Sequence, residues 1–200
     1  MDILITLVIL LFSVIVHEVM HGIVAEKLGD DTARDAGRIT LNPIPHIDPF
    51  GSILLPGILL AVGSPIVFGA AKPVPVNFEN LRPRKLGMAL VSIAGPLSNF
   101  VLAGLFALPI TFGLVSGVME DVWMKAVILN LVLGTFNALP IPPLDGSKII
   151  ASLLPDNIMY KILEMERFGF LLVLAFLFLG ILDKILLPVI TFFLRLFQLS

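Results

Sequence analysis

The 200-residue chain contains no cysteine and few charged side chains. The absence of cysteine excludes disulfide bonds and thiolate metal ligands. Charged residues make up 14% of the chain and hydrophobic residues 58%, and the mean hydropathy is +1.04, far from the composition of soluble domains. The net charge is −2, and no basic stripe interleaved with aromatic residues indicates nucleic-acid binding. The sequence therefore predicts an integral membrane protein with no nucleic-acid partner.

Long apolar segments predict the membrane topology. Residues 3–28, 86–114 and 122–139 are each long enough for a core transmembrane helix. Residues 168–182 and 185–197 are each short for a full span, so they predict either a helical hairpin or one long kinked helix. The first segment lacks the basic region of a signal peptide, and we expect it in the mature protein. We expect one domain, with residues 1–154 as its core and residues 155–200 as C-terminal membrane helices at its periphery.

Residues 52–68 are apolar but interrupted by prolines and glycines, so they either span the membrane or form a re-entrant segment. In the re-entrant version most lysines and arginines lie on one side of the membrane, which should be the cytoplasm. In the spanning version the positive residues split between the two faces. We therefore expect a re-entrant segment, an external N-terminus and residues 17–21 of the first span in the cytoplasmic half of the membrane.

The first predicted span carries His17-Glu18-Val19-Met20-His21. A helix repeats every ~3.6 residues, so both histidines project from one face and can bind one metal ion, with Glu18 beside it. Ionisable groups within a membrane span are costly and indicate a functional site. The pattern is typical of zinc hydrolases, in which three protein ligands leave a fourth position for water.

The third ligand has to come from elsewhere in the chain. The only other histidine, His46, lies in a proline-broken loop and is more typical of a loop histidine bonded to backbone or to Asp48. Asp145 follows a proline-rich turn at the end of an apolar helix, and we expect it to be short of solvent. Its alternative role is to cap a helix that begins at Gly146. The local sequence does not decide between these two roles.

Three asparagines, Asn99, Asn130 and Asn137, lie within the predicted spans. We expect them either to line a path for water to the metal or to bridge neighbouring helices by hydrogen bonds. The group that stabilises the oxyanion is left open among Asn137, His46, Lys72 and backbone amides.

Three blocks resemble the site-2 protease family of intramembrane zinc proteases in order and spacing. They are the HExxH motif, Ala94-Gly95-Pro96-Leu97-Ser98-Asn99, and Asn137-Ala138-Leu139-Pro140 leading to Leu144-Asp145-Gly146. The resemblance covers residues 3–154. It implies one Zn²⁺ per chain held by His17, His21 and Asp145, Glu18 as catalytic base, and Asn137 as a substrate-positioning group. It also implies a small membrane-associated β region at residues 37–41 and 69–77 that presents the substrate in extended form.

The fold class predicted from these observations is an all-α polytopic membrane protein. It has three core transmembrane helices, one or two C-terminal helices, a re-entrant segment and a small β region. We expect a minimal family member without a PDZ or other regulatory domain, located in the cell membrane of a prokaryote.

The implied activity is zinc-dependent hydrolysis of a peptide bond in or near a transmembrane segment of a protein substrate in the lipid bilayer. One alternative is a non-proteolytic zinc transporter, which needs the ligands but has no use for a general base. The other is an inactive scaffold homologue, against which the complete ligand set argues. Glu18 is therefore the residue that separates protease from carrier.

Overall fold

The computed structural model describes residues 2–48 and 72–199, so the predicted re-entrant segment at 52–68 lies outside the described residues. The described helices are, in chain order, α1 (Asp2–Lys27), α2 (Thr32–Asp35), α3 (Arg84–Thr111), α4 (Val118–Asn137), α5 (Asp145–Ser152), α6 (Asp156–Glu164), α7 (Gly169–Phe178) and α8 (Ile181–Leu196), with 3₁₀ turns at Ile44–His46 and Met165–Phe168. The all-helical part of the predicted fold class is confirmed for these residues.

Two of the described helices, α1 and α3, are long and apolar enough to cross a membrane. They correspond to the first two predicted core spans. The third predicted span forms α4, a helix of 20 residues. Because α4 carries Glu120, Asp121 and Lys125, its length and composition alone do not mark it as a membrane span.

The predicted β-strands are absent from residues 37–41 and 72–77, and residues 69–71 lie outside the described part. Residues 72–77 form no helix, turn or strand, and their prolines favour extended backbone. Pro73 and Pro75 have no amide hydrogen to donate. The amide of Val74 donates to a side chain, Glu18, instead of to a strand. The Lys72 amide likewise donates outside any sheet, to the His46 carbonyl oxygen.

The C-terminal apolar region forms two helices, not one continuous helix. Between α7 and α8, Gly180 has φ of +64°, in the left-handed region where glycine is favoured. Leu182 at the start of α8 is buried in a cluster with Leu172 and Phe176 of α7. The break therefore lets the two short helices pack on one another.

Helix α3 is the centre of the packing, since it contacts both α1 and α4. Its buried positions include Ala94, Gly95, Ala103 and Ala107, and small residues of this kind allow close approach of membrane helices. On α4, a Cβ at Gly134 would lie 3.1 Å from the carbonyl oxygen of Pro96. The small residues therefore let the three helices, which carry the HExxH histidines and all three asparagines, pack closely.

Helix α5 begins against the end of α4, and Gly146 makes this possible. A Cβ at this position would collide with the carbonyl oxygens of Ala138 and Leu139. Only glycine therefore allows the first turn of α5 to approach α4 so closely. This contact places Asp145, the first residue of α5, beside α1.

Candidate metal centre

Three donor atoms, one each from His17, His21 and Asp145, form a nearly equilateral triangle. His17 Nε2 lies 3.1 Å from His21 Nε2, and Asp145 Oδ2 lies 3.1 Å from the first and 3.2 Å from the second. Bonds of about 2.0–2.1 Å at tetrahedral angles place two zinc ligands about 3.3 Å apart. The triangle therefore has the size of one face of a zinc coordination tetrahedron, and all three side chains are buried.

Both imidazoles are oriented by a hydrogen bond at the opposite ring nitrogen. His17 Nδ1 lies 2.6 Å from Asn99 Oδ1, and His21 Nδ1 lies 2.7 Å from the carbonyl oxygen of Val91. Because both partners are acceptors, each Nδ1 carries the hydrogen and donates it. Each Nε2 then has its lone pair free for a metal ion, as is usual for histidine ligands.

Gly95 faces the two Nε2 atoms directly. A Cβ at this position would lie 2.5 Å from His17 Nε2 and closer still to His21 Nε2. No side chain therefore fits here without displacing the donors. The sequence indicated Gly95 as part of a motif, and its role as the wall of the metal site follows only from the packing of α3 on α1.

A buried polar network lies behind His17. Asn99 Nδ2 donates to Asn130 Oδ1 at 3.0 Å, and Asn130 Nδ2 donates to Ser13 Oγ at 2.9 Å. All three side chains are fully buried. Asn99 and Asn130 therefore take the second role considered for them, since they bridge α1, α3 and α4 by hydrogen bonds and are not among the residues that line the cavity described next.

A cavity of about 630 Å³ adjoins the triangle, a size in the usual range for ligand sites. Asn137 lines it and donates one amide hydrogen to the Leu133 carbonyl oxygen at 3.0 Å, which leaves its Oδ1 and second N–H for a ligand. Glu166 reaches the cavity from the C-terminal part of the chain. The functional groups of the lining are those of His17, Glu18, His21, Ser92, Asn137, Asp145, Lys148 and Glu166.

A second cavity, of about 500 Å³, lies between α3 and α8. Its described lining is almost wholly apolar and contains no acid, base or metal ligand. The chemistry available in the described residues is therefore concentrated in the first cavity.

Glu18 lies next to the first histidine on α1 and lines the cavity. Its Oε2 accepts a hydrogen bond from the amide of Val74 at 2.7 Å. This contact joins α1 to residues 56 positions later in the chain. No local pattern in the sequence indicated it.

The structure separates the two roles considered for Asp145. Leu144 occupies the N-cap position of α5, and no side chain caps this helix, so Asp145 is not its cap. Instead its Oδ2 faces both histidines. His46 is buried, and its Nε2 bonds to the Thr40 carbonyl oxygen at 2.9 Å, which confirms the interpretation as a loop histidine bonded to backbone.

Comparison with known proteins gives one family and several relatives. The model of a family described as "Peptidase family M50" matches residues 113–182. The Bacillus subtilis protein named "Putative zinc metalloprotease YwhC" is 43% identical over 175 residues, which cover 83% of this chain and 76% of that protein. "Putative zinc metalloprotease Rip2" of Mycolicibacterium smegmatis is 30% identical over 170 residues, or 84% of this chain and 64% of the relative. No solved structure matches the chain.

Proposed function

Because the chain belongs to peptidase family M50, the site-2 protease family, we propose that it is an intramembrane zinc endopeptidase. Its substrate is a membrane protein, cleaved in or near a transmembrane segment. The observation that carries the proposal is the triangle of His17, His21 and Asp145 donors with Glu18 beside it. Two of the ligands and Glu18 lie on α1, a helix long and apolar enough to cross a membrane.

Zn²⁺ is the cofactor that the family and the donor set imply, and His17, His21 and Asp145 would hold it. Bound there, zinc would activate a water molecule and polarise the scissile carbonyl group. Glu18 accepts the proton from the water and returns it to the leaving amine. Its Oε2 is already held by the Val74 amide, which leaves Oε1 to carry the proton.

The substrate must unwind before cleavage. The amides of a transmembrane helix are hydrogen-bonded within the helix, and each freed group is costly in the absence of water. Asn137 offers both a donor and an acceptor in the cavity, so it can bond to freed backbone groups of the substrate. We assign to Asn137 the positioning of the unwound segment beside the metal.

We propose the location from the distribution of charge and the exposure of apolar side chains. The first half of α1 exposes Ile3, Leu4, Leu7 and Val8, apolar side chains that suit contact with lipid. The histidines lie in the second half of α1, which ends at Lys27. By the positive-inside rule we assign the site to the cytoplasmic half of the cell membrane of a prokaryote, in a multi-pass chain with an external N-terminus.

The proposal is tested with purified protein reconstituted in lipid vesicles. The probe is a labelled single-span peptide whose apolar helix is interrupted by a central Gly-Pro pair, which eases unwinding. We expect cleavage within the span, located by mass spectrometry, that stops on zinc chelation and returns on adding Zn²⁺. Cleavage that persists without zinc would contradict the proposal. A zinc carrier would instead move Zn²⁺ into the vesicles and leave the peptide intact.

A further inference from the structure

Asp30 is a buried carboxylate just beyond the end of α1, and the proposed mechanism does not use it. Its side chain is fully buried, yet both oxygens are hydrogen-bonded. Oδ2 accepts the Asn77 amide hydrogen at 2.7 Å. Oδ1 accepts from Asn80 Nδ2 at 2.9 Å and from the hydroxyl and amide of Thr32. A buried carboxylate persists when it is satisfied in this way, so Asp30 holds Asn77 firmly to the end of α1.

Asn77 ends residues 72–77, a segment without helix, turn or strand, which we call the strap. At its other end the Lys72 amide donates to the His46 carbonyl oxygen at 2.9 Å. The Arg38 guanidinium donates to the Lys72 carbonyl oxygen at 2.6 Å. The strap is therefore fixed at both ends by hydrogen bonds to other parts of the chain.

The middle of the strap lies close on α1. A Cβ at Gly22 would come within 3.2 Å of Val74 Cγ1, so glycine at this position makes room for the strap. The amide of Val74 then reaches Glu18 Oε2 at 2.7 Å. Among the described residues this is the one hydrogen bond to the carboxylate of Glu18.

The sequence of the strap makes this contact depend on register. Val74 lies between Pro73 and Pro75, neither of which has an amide hydrogen. A shift of the strap by one residue in either direction would therefore face Glu18 with a proline nitrogen and leave Oε2 without its donor. Whatever fixes the register of the strap also fixes the orientation of Glu18.

We propose that the strap orients the catalytic base through the Val74 amide, and that Asp30 is the positioning residue that sets the register of the strap. This inference rests on the proposed role of Glu18. Neither Asp30 nor the Val74 amide is among the three metal donors. Disturbing them therefore changes turnover and leaves zinc affinity as it is.

Val74→Pro removes the amide hydrogen in a segment whose prolines already favour extended backbone, and Val74→Ala removes the side chain but keeps the amide. In the vesicle assay we expect Val74→Pro to lower kcat about tenfold more than Val74→Ala, as a part of the roughly 10²–10⁴-fold that a positioned base contributes. KM and zinc affinity, the latter measured by chelator competition, should match between the two variants. An equal kcat for both variants, a higher kcat for Val74→Pro, or a change confined to KM would overturn the inference.

Asp30→Asn keeps the size of the side chain but turns one acceptor into a donor, so the bond from Asn77 or those to the other oxygen are lost. We expect kcat to fall several-fold with zinc affinity unchanged. The matched control is Asp31→Asn, which neutralises an exposed neighbour paired with Arg34 at 3.0 Å, and it should cleave as the wild type does. A wild-type kcat for folded Asp30→Asn would overturn the role of Asp30, and Val74→Pro still tests the strap if Asp30→Asn does not fold.

A double-mutant cycle separates positioning from general damage. In a Glu18→Gln background the carboxylate is gone, so Val74→Pro should add no further loss of kcat. An additive loss would overturn the inference, because it would mean that the strap acts elsewhere. If Glu18→Gln itself cleaves normally, the proposed function fails. If Glu18→Gln is inactive and Val74→Pro matches Val74→Ala, the positioning inference alone fails.

Discussion

The two halves of the site are held in different ways. The metal half, His17, His21 and Asp145, is fixed by helices that pack closely and by buried side-chain hydrogen bonds. The base half, Glu18, is fixed by one amide of a strap that is itself tied down at its ends. At Gly95 no side-chain atom can be added without displacing the metal donors. The contact to Glu18 depends instead on which residue of the strap faces it. Perturbing the metal half should therefore abolish zinc binding, and perturbing the base half should slow turnover in a zinc-loaded protein.

The largest effect is expected from Gly95→Ala. The new methyl group would collide with Nε2 of both histidines, so we expect loss of zinc binding and of cleavage. Gly104→Ala on the same helix is the control, since its Cβ would lie 3.8 Å from the Phe197 ring, an ordinary contact. Isothermal titration with Zn²⁺ measures both variants. Wild-type zinc affinity in Gly95→Ala would show that the triangle does not bind the metal.

A smaller effect on the same half is expected from Asn99→Leu. It removes the acceptor for His17 Nδ1 and the donor to Asn130 Oδ1. Loss of such a hydrogen bond to a histidine ligand typically lowers metal affinity about 10–100-fold, and we expect a fall in this range in the same titration. An unchanged affinity would assign the network to helix packing alone.

Asn137→Ala tests substrate positioning without touching either half. We expect KM to rise and kcat to fall several-fold, roughly the effect of one lost hydrogen bond, with zinc affinity unchanged. Steady-state kinetics on the vesicle-bound peptide measures the change. Wild-type kinetics would remove Asn137 from the substrate site.

The smallest effect concerns the pH dependence of stability at Asp30. Burial raises the pKa of this carboxyl group, but the hydrogen bonds from Thr32, Asn80 and Asn77 outweigh it and hold the pKa below the ordinary value of 3.8. A carboxyl group whose pKa is lowered in the folded state stabilises the protein at pH values above its ordinary pKa. This stabilisation is lost as the pH falls through the folded-state pKa. Thermal unfolding should show wild type and Asp30→Asn differing most at neutral pH and converging below about pH 4. A difference in thermal stability between the two proteins that does not change with pH would contradict the assignment of a lowered pKa to Asp30.

Local sequence patterns predicted those features of the molecule that are determined within a single segment of the chain. The spacing of His17 and His21 follows from the helical repeat, and Asp145 was already a candidate from its turn. Gly95, Asn99 and Val74 acquire their roles only through contacts with α1 from positions 56–82 residues away. The periodicity of a helix indicates which face is apolar, but it does not indicate which other helix that face meets.

In the β region, by contrast, the expectation included a structure that the described residues do not form. The resemblance implied a strand within residues 69–77, and the described residues 72–77 form none. Pro73 and Pro75 do not by themselves forbid a strand, because the alternate residues Lys72, Val74 and Val76 keep their amide hydrogens. Of these amides, that of Lys72 donates to the His46 carbonyl oxygen and that of Val74 donates to Glu18, contacts that depend on how the strap packs on the rest of the chain.

Glu18→Gln tests the central claim most directly, because it removes the base and leaves all three metal donors in place. In vesicles, with zinc content measured on the same sample, we predict wild-type zinc binding and a cleavage rate at least about 10²-fold lower. Cleavage of the single-span peptide at the wild-type rate by zinc-loaded Glu18→Gln would contradict the account.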